Sequence, residues 1–366
     1  MKKLFMAATG QHVGKTTCTL GLIHSLREQG LNVGYCKPVG QQFIDVGASR
    51  ADKDALLFAS SMGFELVPQL HSPVILGHGA TTAYLDNPER YNFANKVLKA
   101  SKILHQNHQV IVYEGTGHTG VGSVVNLSND RVAEMLEAGV IMVVEAGIGN
   151  TIDRLYLALG PFERRGIPIV GVIINKAMPD KIEKVQHYVG RVLRERGIPL
   201  LGILPYEEEL GLPVMHTIAQ TLHAQVMFNE QQLDNKVRGI IAGSLIDLNE
   251  MKTPNNQLLV VSINRFGEAI RKLTQVTRQI DQKDCILSGI ILTGRGEISG
   301  EQVEFIEKNK VPVLRAKLDT YESVIKISKI EVKINTRTPW KVKKAIELFR
   351  NHVDLTPVME QIKASS

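Results

Sequence analysis

An apolar start, Leu4-Phe5-Met6-Ala7-Ala8, leads into Thr9-Gly10-Gln11-His12-Val13-Gly14-Lys15-Thr16, and a helix-like stretch follows from Thr17. Strand, glycine-bearing loop and helix in that order make a phosphate-binding loop. The first helical turn then aims backbone N–H groups at an anion. Residues Gly10, Gln11, His12, Val13, Gly14, Lys15, Thr16 and Thr17 are the expected nucleotide-binding set. Lys15 is placed to reach the β- and γ-phosphates, and the Thr16 hydroxyl to ligate Mg²⁺. The expected ligand is a nucleoside triphosphate. Thr9 stands where the pattern has glycine, and Gly10 follows at once.

Three more positions suit chemistry on such a ligand. Glu114 closes the apolar run Val110-Ile111-Val112-Tyr113. A charge at the end of a buried strand needs a partner, and Mg²⁺ would be one. Asp54, at the start of a helix-like segment, is a second oxygen ligand or simply a cap. Lys37 precedes Pro38, which keeps it extended. Its ammonium should project beyond the sheet, to stabilise a transferring phosphoryl group or merely to meet water. The stretch Gly115-Thr116-Gly117-His118-Thr119-Gly120 matches the dinucleotide fingerprint literally. That fingerprint belongs in the first strand–helix turn, which the phosphate loop already occupies. These glycines instead let the backbone approach the nucleotide or a second substrate, making Gly115, Thr116, Gly117 and His118 the candidate acceptor loop. His12 and His118 have no carboxylate partner in sequence and read as non-catalytic.

These residues need a parallel sheet to hold them. Apolar runs at 32–37, 109–113, 139–145, 168–175 and 199–204 alternate with helical patterns at 152–165 and 181–196. Continuous apolar strands separated by helices give a parallel α/β sheet covered on both faces. Ligands then sit beyond the carboxyl ends of the strands, which places Lys37, Glu114 and Asn175 near the phosphate loop. The pattern weakens into polar residues over 221–236. A first domain is therefore expected over 1–225 and a smaller α/β domain over 236–356, with strands at 237–242, 258–263, 285–292 and 312–314. Its helices fall at 267–280, 299–308 and 340–352. The basic stretch 326–350 reads as a solvated helix face.

The chain has 366 residues, 43% of them apolar and 22% charged, as expected of a soluble globular protein with two cores. No apolar run reaches the length of a membrane span, and the N-terminus enters the first strand directly, without a signal peptide. Cys18, Cys36 and Cys285 are scattered and odd in number, suggesting a cytoplasmic setting and no metal cage. A net charge of +6 suits anionic ligands without singling out nucleic acid.

Residues 1–220 resemble the dethiobiotin synthetases, ATP-dependent enzymes that close a cyclic urea through a carbamate. Gly14-Lys15-Thr16, Lys37-Pro38-Val39, Asp54-Ala55-Leu56, Glu114-Gly115, Asn175 and Leu204-Pro205 carry the likeness. That family also has threonine at the loop's first position. The resemblance implies ATP and Mg²⁺ as cofactors, with Thr16, Asp54 and Glu114 as metal ligands. It puts Lys15 and Lys37 on the phosphates and carbamate as catalytic residues, and Asn175 on adenine with Pro205 beside it. The whole chain looks like the N-terminal part of long bacterial phosphate acetyltransferases, where a DRTGG domain follows. Here Ile263-Asn264-Arg265 falls on that domain's Gly-Asp-Arg and Thr293-Gly294-Arg295 on its Thr-Gly-Gly, so one acidic residue and one glycine are replaced. The acetyltransferase portion of those enzymes is not in the sequence, so acetyl transfer to phosphate is not expected. Two readings follow. One is a ligase-type or ATPase enzyme acting on an unidentified small-molecule acceptor. The other is a nucleotide-sensing regulator that works through its DRTGG-like domain on a partner. Relatives tend to pair through such domains, implying a homodimer or higher homo-oligomer, with neither nucleic acid nor membrane as partner.

Overall fold

The computed structural model describes residues 2–243, 255–279 and 285–364. Ile280, the expected end of the helix at 267–280, lies outside them. The chain divides into two compact units: Met1–Glu207 with Ile334–Ser366, and Glu208–Lys333.

The first unit is built on six strands: β1 Lys3–Ala8, β2 Val33–Cys36, β3 Val110–Glu114, β4 Gly139–Glu145, β5 Ile169–Ala177 and β6 Leu200–Pro205. They form one sheet in the order β6-β5-β4-β1-β3-β2, parallel throughout. Strands such as Val110-Ile111-Val112-Tyr113 are apolar without alternation because both faces are covered. The longer helices before residue 208 are α1 Lys15–Glu28, α2 Lys53–Met62, α3 Phe93–Asn107, α4 Asn129–Leu136, α5 Gly149–Arg164 and α6 Ile182–Glu195. Val97, Val132, Leu159 and Val189 of α3 to α6 share one core with Phe5, Ile111 and Val140 of the sheet. Because β1 lies between β3 and β4, the sheet's strand order switches there, and the loop after β1 opens into the crevice where such sheets bind ligands.

In the second unit β7 Gln225–Phe228, β8 Gly239–Ala242, β9 Gln257–Ser262, β10 Leu287–Thr293 and β11 Val313–Arg315 form a sheet ordered β7-β11-β10-β9-β8. Only the β7–β11 pair is antiparallel. Helices α7 Met215–Leu222 and α10 Thr320–Ser328 cover one face through Met215, Ile218 and Ile327. Helices α8 Ile263–Gln279 and α9 Gly300–Asn309 cover the other through Phe266, Ile270 and Ile306.

The division differs from the expected 1–225 and 236–356. The polar stretch at 221–236 is a connection inside the second unit, where β7 pairs with β11 and α7 already packs into the core. The last helices, α11 Pro339–His352 and α12 Thr356–Lys363, belong to the first unit. Helix α11 buries Ala345, Leu348 and Phe349, and its Lys341 is wholly buried, so this basic segment is not simply a solvated face.

Candidate functional site

Gly14 takes φ of 102° as the residue that opens α1, a left-handed conformation cheap only for glycine. A Cβ there would meet the Asn175 side-chain nitrogen at 1.9 Å. That contact explains where Asn175 lies. Its Nδ2 donates to the Val13 carbonyl at 2.8 Å, and its Oδ1 accepts the Lys176 N–H at 2.9 Å. Asn175 thus sits at the end of β5 against the phosphate loop. Gln11 and His12 are exposed, Val13 is buried, and Thr17 starts the buried face of α1. Pro205 ends β6 at the sheet edge, opposite Ala177.

Beside the loop lies a charged cluster. The Thr16 hydroxyl donates to Glu114 Oε1 at 2.8 Å. Lys37 Nζ stands 2.5 Å from Asp54 Oδ2 and 3.5 Å from Glu114 Oε1. Glu114 is fully buried and Lys37 nearly so, while Asp54 is about a quarter exposed. Burial pulls the Lys37 pKa down, but the carboxylates of Asp54 and Glu114 more than reverse this, raising it above the ordinary lysine value and keeping the side chain charged. Burial raises the Glu114 carboxyl above the ordinary range, with Lys37 opposing the shift.

Three residues that sequence reading missed hold this cluster. The Tyr35 hydroxyl donates to Glu114 Oε2 at 3.2 Å, while its ring stacks on Phe58 of α2 at 3.9 Å. Asp52 is buried, caps α2 by accepting the Asp54 N–H at 2.9 Å, and accepts the Gln41 and Gln42 N–H groups. Burial raises its pKa also. Asn129, at the start of α4, pins the loop 115–118. Its Oδ1 accepts the Thr116 N–H, and its Nδ2 donates to the carbonyls of Thr116 and His118 at 2.8 and 2.7 Å. Gly115 is required here, since a Cβ would meet Asn129 Oδ1 at 2.6 Å. A signal existed for Tyr35, which is two residues before Lys37 and so on the same strand; none existed for Asn129.

The loop 115–118 reaches the phosphate loop through Lys15 Nζ, which donates to the Gly117 carbonyl at 3.2 Å. His118 is exposed, and its Nδ1 accepts the Gly120 N–H. Among the described residues no group of three His, Cys, Asp or Glu suits a metal. The oxygens of Thr16, Asp54 and Glu114 are hard donors that fit Mg²⁺, an ion that takes one or two carboxylates and completes its shell with phosphate and water. The carboxyls of Asp52, Asp54 and Glu114 face two ammoniums, Lys37 among them and Lys15 acting on Glu114 from the phosphate loop.

Residues 2–214 match the AAA domain (AAA_26). The chain belongs to the AAA domain family. Residues 217–330 of this AAA-domain protein match the DRTGG domain. It is 24% identical to a phosphate acetyltransferase of Haemophilus influenzae over 96% of this chain and 50% of that one. It is 27% identical to an ATP-dependent dethiobiotin synthetase of Anaeromyxobacter dehalogenans over 62% of this chain and 100% of the other. A probable cobyric acid synthase of Methanocaldococcus jannaschii is also 27% identical, over 57% of this chain and 46% of its own. The chain spans about half the length of the phosphate acetyltransferases it matches end to end. Among the described residues no helix is long and apolar enough to cross a membrane.

Proposed function

We propose that the first unit binds Mg-ATP and passes its γ-phosphoryl group to a carboxylate or carbamate oxygen of a small acceptor. An amine would then displace the phosphate from the resulting acyl phosphate. The observation that carries this reading is a buried ammonium, Lys37, held between Asp54 and Glu114 beside the Thr16 hydroxyl. A phosphate loop alone would bind nucleotide. A second fixed cation beyond it supplies charge where a transferring phosphoryl group develops it.

In this reading the N–H groups opening α1 and the Lys15 ammonium take the β- and γ-phosphates. Thr16, Asp54 and Glu114 would hold Mg²⁺, which would supply positive charge beside the phosphates. Lys37 draws the acceptor oxyanion and the phosphoryl group together. Gly115 to His118, tied down by Asn129, form the acceptor's floor, and Asn175 with Pro205 lies towards the base. The similarity to an ATP-dependent dethiobiotin synthetase supports a carbamate acceptor. The DRTGG match favours one alternative, a regulator in which nucleotide occupancy alone is signalled to a partner.

The test is Mg²⁺-dependent ATP turnover by wild type and Lys37→Ala, with and without diaminopelargonate plus bicarbonate, alongside ATP affinity. We expect stimulation by the acceptor, a loss of roughly a hundredfold or more in the variant, and ATP affinity nearly unchanged. Tight ATP binding without stimulation points to another acceptor or to the regulator. Absence of Mg²⁺-dependent ATP binding sinks the reading.

A further inference from the structure

The carboxylates that suit a divalent ion already meet a cation of the chain's own. Lys37 Nζ lies 2.5 Å from Asp54 Oδ2 and 3.5 Å from Glu114 Oε1. The Thr16 hydroxyl donates to that same Glu114 Oε1 at 2.8 Å. Thr16, Asp54 and Glu114 are the oxygens whose chemistry fits Mg²⁺. The ammonium touches both carboxylates of the three. A divalent ion on those oxygens would set two cations against one pair of carboxylates. Like charges in contact at so buried a place repel by several times the thermal energy. Lys37 and the ion therefore compete.

Only the side chain of Lys37 can give way. Its backbone N–H donates to the His71 carbonyl at 2.8 Å and Pro38 follows it, so the main chain is fixed. The side chain is only 6% exposed, so an ammonium that leaves the carboxylates needs another anion in place of water. The phosphate loop lies alongside. Thr16, at its end, is bonded to Glu114, and Lys15 reaches across to the Gly117 carbonyl at 3.2 Å. A polyphosphate in that loop would offer Lys37 a counter-charge, and a metal ion alone would not. Until then Lys37 has a use where it is, because Asp54 and Glu114 repel each other unless a cation separates them.

We propose that Lys37 gates the metal site. Its ammonium holds Asp54 and Glu114 together and keeps a divalent ion off them until nucleotide phosphates give it another partner. Metal then enters with the nucleotide and not before it. The inference rests on Thr16, Asp54 and Glu114 being the metal-holding residues, and adds an order of loading to that reading. The ammonium exchanges one set of anions for another, so its removal should change nucleotide affinity little and affinity for the metal alone greatly.

The test is Mn²⁺ binding to the full chain without nucleotide, read from the electron paramagnetic resonance of the unbound ion. Lys37→Met keeps the stem and removes the charge. It should bind Mn²⁺ at least about tenfold more tightly than wild type. Lys37→Arg should bind it as weakly as wild type. Adding Asp54→Asn to Lys37→Met should abolish the gain, which locates the ion. A second measurement needs no variant. Acetylation of Lys37 by acetic anhydride, followed by mass spectrometry, should rise severalfold in tens of millimolar Mg²⁺ and fall back when ATP is added. Equal Mn²⁺ affinity in wild type and Lys37→Met, or labelling unchanged by Mg²⁺, overturns the proposal. If wild type still binds ATP with Mg²⁺ in that case, the phosphate-loop reading stands without this one. If it does not, both fall.

Discussion

At the scale of single residues, the surroundings of the candidate site handle two buried bases in opposite ways. Lys37 stays charged because two carboxylates meet it. His71, whose carbonyl accepts the Lys37 N–H at 2.8 Å, meets none among the described residues. Its Nδ1 accepts the Val67 N–H at 3.0 Å and its ring packs on Phe64. Burial pushes its pKa down from 6.5 to about 4. The folded pKa lies below the unfolded one, so between those values the unfolded chain binds the extra proton. Stability is therefore whole above pH 6.5 and drains away as pH falls towards about 4. The loss from this group should total on the order of 2–3 kcal/mol. His71→Gln, which keeps an acceptor without a titrating ring, should flatten that part of the profile. Urea unfolding of both proteins from about pH 7 to about pH 4.5 checks this. Parallel profiles would exclude His71 as a source of acid sensitivity.

Much at this scale can be read from order along the chain, because strand ends in a parallel sheet converge. Lys37 and Glu114 end neighbouring strands, and Thr16 follows a third, so their approach was already implied by alternating apolar runs. Tyr35, Asp52 and Asn129 escaped because their roles depend on what faces them after folding. A tyrosine in an apolar strand reads as core until its hydroxyl is seen on Glu114 Oε2.

At the scale of elements, α1 does more than begin with a phosphate loop. Its Gly21 faces Phe349 of α11 so closely that a Cβ would fall 2.1 Å from the Phe349 Cγ and 2.7 Å from its Cδ2, the ring atoms that Phe349→Ala removes. Phe349 itself is fully buried. Phe349→Ala should cost about 3–5 kcal/mol through lost burial and the cavity left behind. Gly21→Ala should destabilise by about 1–3 kcal/mol through overpacking, offset in part by alanine's better helix propensity. The two changes act on one contact, so the double variant should be more stable than the sum of the singles by at least about 0.5 kcal/mol. Denaturant unfolding of the four proteins closes the cycle, and strict additivity would show that the helices do not meet there. The amphipathic spacing of α11 announced a helix in the sequence. Periodicity gives a helix a buried face but not an address, so the same pattern fitted a second-domain helix until Gly21 and Phe349 were seen together.

At the scale of the whole molecule, the first unit is discontinuous in sequence, with Glu208–Lys333 set between its two pieces. The closing piece is fastened at several points. Arg350 pairs with Glu28 of α1, and Lys344 with Glu207 at 3.1 Å. The Asp354 N–H donates to the Leu201 carbonyl at 2.7 Å. Val353 bridges to Gly202, where a Cβ would meet the His352 carbonyl oxygen at 2.1 Å. Exposed ion pairs of this kind contribute little, so the stability lies in the apolar cover over α1 and in the hydrogen bonds to β6. Ending the chain at Lys333 should therefore loosen the helix that carries the phosphate loop, although the loop's own residues remain. Amides of α1 should exchange roughly a hundredfold faster or more, whereas the strands of the second unit should keep their protection. ATP, if it binds the loop, should slow exchange in α1 of the full chain and do so less in the shortened one, because binding must then first order the helix. Unchanged exchange of α1 after the truncation would mean that the closing helices rest on the first unit without supporting it.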